Sequence, residues 1–122
     1  MKNLNLTFKK KLPIVCVQGL GVVGSAMALA AASAKKNQRS KFNVVGLEKE
    51  NKFGQEIIKK LNIGKFPFQT SDKVIIKKAS KLILEKNFIA TTDITLLAEA
   101  DIIISSIGLD FFSNQNSNID NF

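Results

Sequence analysis

Residues 14–34 read IVCVQGLGVVGSAMALAAASA, and this stretch decides the fold. Ile14-Val15-Cys16-Val17 is a short apolar run that stops at Gln18. Gly19-Leu20-Gly21-Val22-Val23-Gly24 follows, and an Ala-rich segment continues from there. The order is strand, glycine turn, helix, the context in which G-x-G-x-x-G signals dinucleotide binding. Gly19 allows the tight turn off the strand, Gly21 lets the backbone approach a pyrophosphate, and Gly24 lets the helix pack close to the sheet. The N–H groups and positive dipole end of the new helix then face the phosphate charge.

Outward from the turn, residues 21–35 form a helix favoured by alanine's high propensity and small side chain. Residues 35–40 (KKNQRS) read as a polar, charged loop. Residues 42–47 (FNVVGL) are β-branched and apolar, a second buried strand that ends at Glu48. Strand, helix and strand at this spacing make a right-handed parallel unit. An acid that accepts hydrogen bonds from an adenosine ribose belongs about 20 residues past the glycines, at the end of strand two. Glu48 lies 24 residues after Gly24, the excess fitting the longer loop. A carboxylate there repels a 2′-phosphate, which favours NAD over NADP. Lys49 and Lys52 are neighbouring cations able to accommodate that phosphate.

Further on, Phe53, Ile57, Ile58 and Leu61 recur at helical spacing, with Lys59 and Lys60 facing water. Residues 62–68 (NIGKFPF) break that helix, Gly64 serving as its C-terminal glycine. Thr70, Ser71 or Asp72 caps a further helix whose Ile75, Ala79, Leu82 and Ile83 form one apolar stripe. Residues 88–91 read as a third strand, and residues 93–100 as a short helix capped by Thr92 or Asp93. Residues 102–107 (IIISSI) are a fourth strand, apolar enough to be covered on both faces. The expected fold is α/β: a Rossmann-like parallel sheet with helices on both faces, incomplete at about four strands. It spans residues 13–112, between a loose basic arm (1–12) and a polar tail (113–122).

Composition narrows the functions. The chain has 122 residues, 45% hydrophobic and 23% charged, with a formal charge of +8 and no His, Trp or Tyr. Absence of His removes the commonest general base and metal ligand, and no catalytic or metal-ligating residue is assigned. Of the 18 cations one is Arg39; the lysines are spread over every segment and read as solvated faces, so no nucleic-acid partner is expected. The apolar stretches are too short to span a bilayer, so no membrane partner and a cytoplasmic location are expected. Cys16, the single cysteine, reads as a small buried hydrophobe.

Five pieces in a fixed order resemble the N-terminal domain of the UDP-glucose/GDP-mannose dehydrogenase family. They are Gly19-Leu20-Gly21-Val22-Val23-Gly24, Val44-Val45-Gly46-Leu47-Glu48, Leu61-Asn62-Ile63-Gly64-Lys65-Phe66-Pro67-Phe68, Ala90-Thr91-Thr92-Asp93 and Ala100-Asp101-Ile102-Ile103-Ile104. Together they cover roughly residues 13–110, and the G-L-G-x-V-G form with the downstream N-x-G-x-x-P is much more specific than any generic glycine hexad. The resemblance implies a Rossmann NAD domain of an enzyme that oxidises a nucleotide sugar's C6 alcohol to a carboxylate in two NAD-dependent steps, through a cysteine thiohemiacetal. It implies that Gly19, Leu20, Gly21, Val22, Val23 and Gly24 hold the pyrophosphate, that Glu48 beside Lys49 holds the ribose, and that Thr91 and Thr92 lie near the cofactor cleft. Full-length members are expected to be homo-oligomers that bind the nucleotide-sugar substrate through other domains.

The chain also departs from that pattern. Where the family has Val-Pro-Thr-Pro after its fourth strand, this sequence has Ile107-Gly108-Leu109-Asp110, and Gln69-Thr70 replaces an acid after Pro67. The segments that carry the family's catalytic cysteine and lysine are not among these residues, so a truncated or fragmentary, inactive chain is expected. A non-catalytic nucleotide-sensing domain of a transporter or channel is the alternative reading. Such domains link their second helix to strand three briefly, whereas residues 61–87 intervene here.

Overall fold

The computed structural model describes residue 8 and residues 10–107. In chain order these form β1 (Ile14–Gln18), α1 (Val22–Ser33), β2 (Lys35–Lys36), β3 (Arg39–Ser40), β4 (Asn43–Leu47), α2 (Lys52–Asn62), α3 (Lys73–Glu85), β5 (Phe88–Thr91), a 3-10 helix (Ile94–Glu99) and β6 (Ile102–Ser105). β1 pairs in parallel with β4, from Ile14 opposite Asn43 to Gln18 opposite Leu47. On its other side β1 pairs in parallel with β6, from Val15 opposite Ile102 to Gln18 opposite Ser105. β5 extends the sheet beyond β4, giving the order β5-β4-β1-β6. This is the α/β, Rossmann-like parallel sheet of four strands that the glycine turn and strand pattern call for.

The central strands β1 and β4 are apolar except for Gln18 and Asn43 at their ends, because both faces are covered. On one face Val15, Val17 and Val44 pack with Leu20, Leu29 and Ala32 of the first crossover and with Ile57, Leu61, Ala79 and Leu82 of α2 and α3. On the other face Ile14, Cys16, Val45 and Leu47 meet Leu96 of the 3-10 helix and Phe8. Leu20, Leu29, Leu47 and Leu61 are fully buried, each contributing roughly 1.5–3 kcal/mol relative to exposure. The expected arm is described at Phe8 and from residue 10 on. There Phe8 is buried, and the Asn43 amide donates to the Lys10 carbonyl at 2.7 Å.

The structure selects one cap from each set the sequence offered. Asp72 accepts from the Val74 and Ile75 N–H groups, and Asp93 from Thr95. Gly64 closes α2 at φ +81°, its N–H donating to Leu61. Asn51 also caps α2, accepting from the Gly54 N–H at 2.7 Å.

Four local expectations are corrected. Residues 35–40 are a two-stranded antiparallel hairpin rather than a loop: Asn37 and Gln38 both take left-handed φ, +52° and +65°, which matches the twist of a two-residue turn. Phe53 lies on the water side of α2, because Gly54 is the residue pressed against the Lys49 carbonyl. Residues 94–99 coil as a 3-10 helix, too short for more than one tight turn or two. β6 is not covered on both faces: Ile102 and Ile103 are 45% and 54% exposed. It has β1 as its one neighbour in the sheet, and among the described residues no helix follows to lie over it. Residues 108–110 and the tail 113–122 lie outside the described residues.

Candidate functional site

The chain leaves β1 for β4 and β5 on one side and returns to β6 on the other. The strand order therefore reverses between β1 and β6, and ligands of such sheets bind outside the carboxyl ends of the strands at that point. The glycine turn occupies this position. Gly19 has φ +97°, which only glycine adopts without strain, and donates its N–H to the Leu47 carbonyl at 2.9 Å. A Cβ on Gly19 would also stand 2.7 Å from the Ser106 carbonyl oxygen.

Leu20 points down into the core, where it packs over Gly46. Gly21 is the N-cap of α1, and a Cβ built there meets nothing within 4 Å. Gly24 is the opposite case: its Cβ would lie 1.8 Å from the Gly19 carbonyl oxygen, so the helix can approach the turn only with glycine there. The three glycines thus split into one that makes the turn, one that leaves open space, and one that sets the helix against it. Val22 and Val23 are exposed side chains in the first turn of α1. Because the cap is glycine and no acid lies in that turn, the helix start has no side-chain acceptor of its own. That arrangement suits an anion.

Glu48 follows β4 directly and reaches back to the turn. Its Oε1 accepts the Leu20 N–H at 2.8 Å and its Oε2 accepts the Lys49 N–H at 2.8 Å. A carboxylate has about four lone-pair positions, so both oxygens retain capacity for a hydroxyl. The Lys49 side chain is exposed, and its N–H, rather than its ammonium, is the group held to Glu48. Thr91 ends β5 beside this acid: its carbonyl accepts the Glu48 N–H at 3.2 Å, and its Oγ1 accepts the Asp93 N–H at 3.2 Å. Thr92 is half-buried in the following bend. The structure therefore brings Gly19, Leu20, Gly21, Gly24 and Glu48 into one cluster, with Thr91 two strands away from the turn.

Ser106 is a residue that sequence reasoning passed over. Its N–H donates to the Gln18 carbonyl at 2.8 Å, continuing the ladder past β6, and its backbone and Cβ border Gly19 and Gly24. The available signal was polarity: Ser105-Ser106 ends an apolar strand at the same edge as the glycines. Cys16 is far from this cluster in character. It is fully buried in β1, its Sγ faces the Leu96 carbonyl at 3.8 Å, and burial, helped by the charge of Glu99, pushes the thiol up to about 11. A thiol so held is no nucleophile at neutral pH.

Among the described residues no group of His, Cys, Asp or Glu is arranged to hold a metal ion, and no helix is long and apolar enough to cross a membrane. An open depression of about 780 Å³, lined by Leu12, Pro13 and Asp101 among others, lies at the opposite ends of the strands.

No family model matches the chain, and no curated protein matches it. Solved structures do. The chain is similar to NDP-N-acetyl-D-galactosaminuronic acid dehydrogenase from Methanosarcina mazei Go1, with a TM-score of 0.72 and 24% identity over 91% of this chain and 23% of that one. It is similar also to GDP-mannose dehydrogenase from Pseudomonas aeruginosa, with a TM-score of 0.62 and 18% identity over 87% of this chain and 22% of that one. At these identities the likeness is one of fold, and this chain spans less than a quarter of the length of either protein. The two neighbours carry the kind of name that the sequence motifs led to.

Proposed function

We propose that the chain is the NAD-binding portion of a nucleotide-sugar 6-dehydrogenase of the UDP-glucose/GDP-mannose type, an oxidoreductase of polysaccharide biosynthesis in the cytoplasm. The observation that carries this reading is the bond from the Leu20 N–H to Glu48 Oε1, beside the open space at Gly21. It joins the residues suited to a pyrophosphate and to a ribose in one cluster at the switch point of the sheet.

NAD, when bound, supplies the hydride acceptor for oxidation of the sugar's C6 alcohol. The chain's own residues bind and orient it: Gly21 and the start of α1, with Val22, Val23 and Gly24, take the pyrophosphate. Glu48, fixed by the Leu20 and Lys49 N–H groups, takes the ribose hydroxyls, and Thr91 and Thr92 border the cleft beyond. The substrate sits on domains that a full-length protein supplies, and that protein is a homo-oligomer without nucleic-acid or membrane partners. Taken alone, the chain is not expected to oxidise the sugar, since hydride transfer needs a substrate held against the nicotinamide and that placement is the work of the other domains.

Calorimetric titration of the purified chain with NAD tests the reading. Saturable binding that is lost on replacing Gly21 supports it, and no binding at millimolar NAD overturns it. In the presence of UDP-glucose or GDP-mannose, no NADH absorbance is expected to develop.

A further inference from the structure

In a parallel sheet every helix-to-strand connection lies at the end opposite the strand-to-helix turns. The glycine turn and Glu48 occupy one end here, so the segments that precede β1, β4 and β5 meet at the other. Those segments are basic. Lys10, Arg39 and Lys86 border a depression of about 110 Å³, and Lys36, Arg39 and Lys41 border an open one of about 580 Å³. The two share Leu12, Arg39 and Ser40, so they form one continuous surface. Among the described residues, five cations from three separate stretches of sequence line these two depressions against one acid, Glu85, while Glu99 and Asp101 line the adjoining depression beyond Leu12. Glu85 is already engaged: Lys35 Nζ lies 2.6 Å from its Oε1, and the hydrogen bond from Lys35 holds the Glu85 carboxyl below its usual range.

The hairpin concentrates this charge at a cost. Lys36 and Arg39 are direct register partners across β2 and β3, and like charges placed opposite one another are destabilising. An anion shared between them removes that repulsion. Arg39 is the chain's single arginine, with a planar fork suited to bidentate binding of a carboxylate. Among the described residues no aromatic ring lines either depression, and the Phe42 ring beside them is already covered by the Lys41 ammonium, 5.5 Å from its centroid, so no open face is left there to stack a nucleobase. The remaining lining is Leu12, Asn37, Gln38, Ser40, Asn43 and Asn87, an apolar contact plus donors and acceptors of the kind that pair with peptide groups.

We propose that this surface, at the end of the sheet away from the glycine turn, docks an acidic, extended polypeptide segment through Lys36, Arg39, Lys10, Lys41 and Lys86. The partner recognised is a run of carboxylates on another protein or domain.

A fluorescein-labelled octaglutamate peptide, titrated against the chain by fluorescence anisotropy, tests it. The expected result is saturable binding that weakens steeply with added salt. Reversing both hairpin charges (Lys36→Glu with Arg39→Glu) should weaken it at least ~10-fold, about 1.4 kcal/mol. That double variant keeps like charges opposite each other, so the hairpin itself is no worse off, and far-UV circular dichroism verifies the fold. Reversing two exposed lysines of α2 (Lys59→Glu with Lys60→Glu) changes net charge equally and should leave affinity within about 2-fold of the original, below the scatter of a single exposed ion pair. Equal losses in the two variants mean general attraction to a basic protein, and overturn the proposal. No binding at low salt overturns it too. Tighter binding of a twelve-nucleotide single-stranded DNA, lost in the hairpin variant, assigns the surface to nucleic acid instead. NAD titrations in the hairpin variant stay unchanged, which separates this surface from the cofactor cluster.

Discussion

The backbone N–H of Leu20 donates a 2.8 Å hydrogen bond to Oε1 of Glu48, across 28 residues of sequence. One loop lies after β1 and the other after β4, so the bond fixes the glycine turn against the acid before any ligand arrives. Its energetic weight is that of a charge-assisted bond, roughly 1.5–3 kcal/mol when intact. Preorganisation of this kind lowers the ordering cost of binding.

Replacing Gly21 by Val separates binding from folding. The new Cβ meets nothing within 4 Å and the backbone φ is −68°, accessible to valine. The expected outcome is NAD affinity reduced at least ~10-fold, or about 1.4 kcal/mol, with a melting temperature shifted only by the loss of a favourable cap, about 1 kcal/mol. Gly24→Ala is the contrast, since its Cβ collides with the Gly19 carbonyl. It should lower stability as well as affinity. Calorimetry and thermal melts on the two variants check both expectations.

Glu48 sets the choice of cofactor. NAD should bind at least ~10-fold more tightly than NADP, about 1.4 kcal/mol. Glu48→Gln should narrow that ratio. It should also destabilise the chain by about 1–3 kcal/mol, because a Gln amide turned toward either the Leu20 or the Lys49 N–H leaves that donor unmatched. Parallel NAD and NADP titrations of both proteins are the measurement. Equal affinities in the unaltered chain would mean that Lys49 or Lys52 governs the pocket.

Asn62 guards the far edge of the sheet. Its amide donates to the Ala90 carbonyl and accepts the Ala90 N–H, each at 2.9 Å, so a side chain stands in for a neighbouring strand. Asn62→Ala should cost about 1–3 kcal/mol in urea denaturation and speed amide exchange at Ala90. Asn62→Asp keeps the acceptor but not the donor and should fall between. No change in Ala90 exchange would show that water replaces the amide without loss.

Cys16 gives an alkaline signature. Burial, helped by the Glu99 charge, pushes the folded thiol up to about 11, against 9.0 for the exposed thiol of the unfolded chain. Between these values the unfolded chain has released the proton and the folded chain has not. The unfolded state therefore binds fewer protons there, and stability falls as pH rises from about 9 to 11, by up to about 1.4 kcal/mol per unit. Below pH 9 the thiol contributes no slope. Cys16→Ala should flatten this alkaline limb while costing some stability at pH 7, and the native thiol should resist alkylation at pH 8 until urea is added.

The sequence by itself determined the order of the four sheet strands, the strand–glycine turn–helix opening, the short stretches within which Asp72 and Asp93 cap their helices, the closing role of Gly64 and the burial of Cys16. Each of these follows from periodicity, from backbone freedom at one residue or from a side chain bonding its own neighbours, and all of that is local. Tertiary structure decided the rest. Whether Phe53 or Gly54 faces the sheet depends on how α2 docks, and the exposure of Ile102 and Ile103 depends on which elements flank β6. Asn62 became an edge guard, and Ser106 a neighbour of Gly19, only once β5 and β6 took their places on opposite sides of β1. The lysines look evenly spread along the chain, yet a parallel sheet sends every helix-to-strand connection to one end. That long-range rule, invisible to any local window of sequence, gathers Lys10, Lys36, Arg39, Lys41 and Lys86 onto one surface.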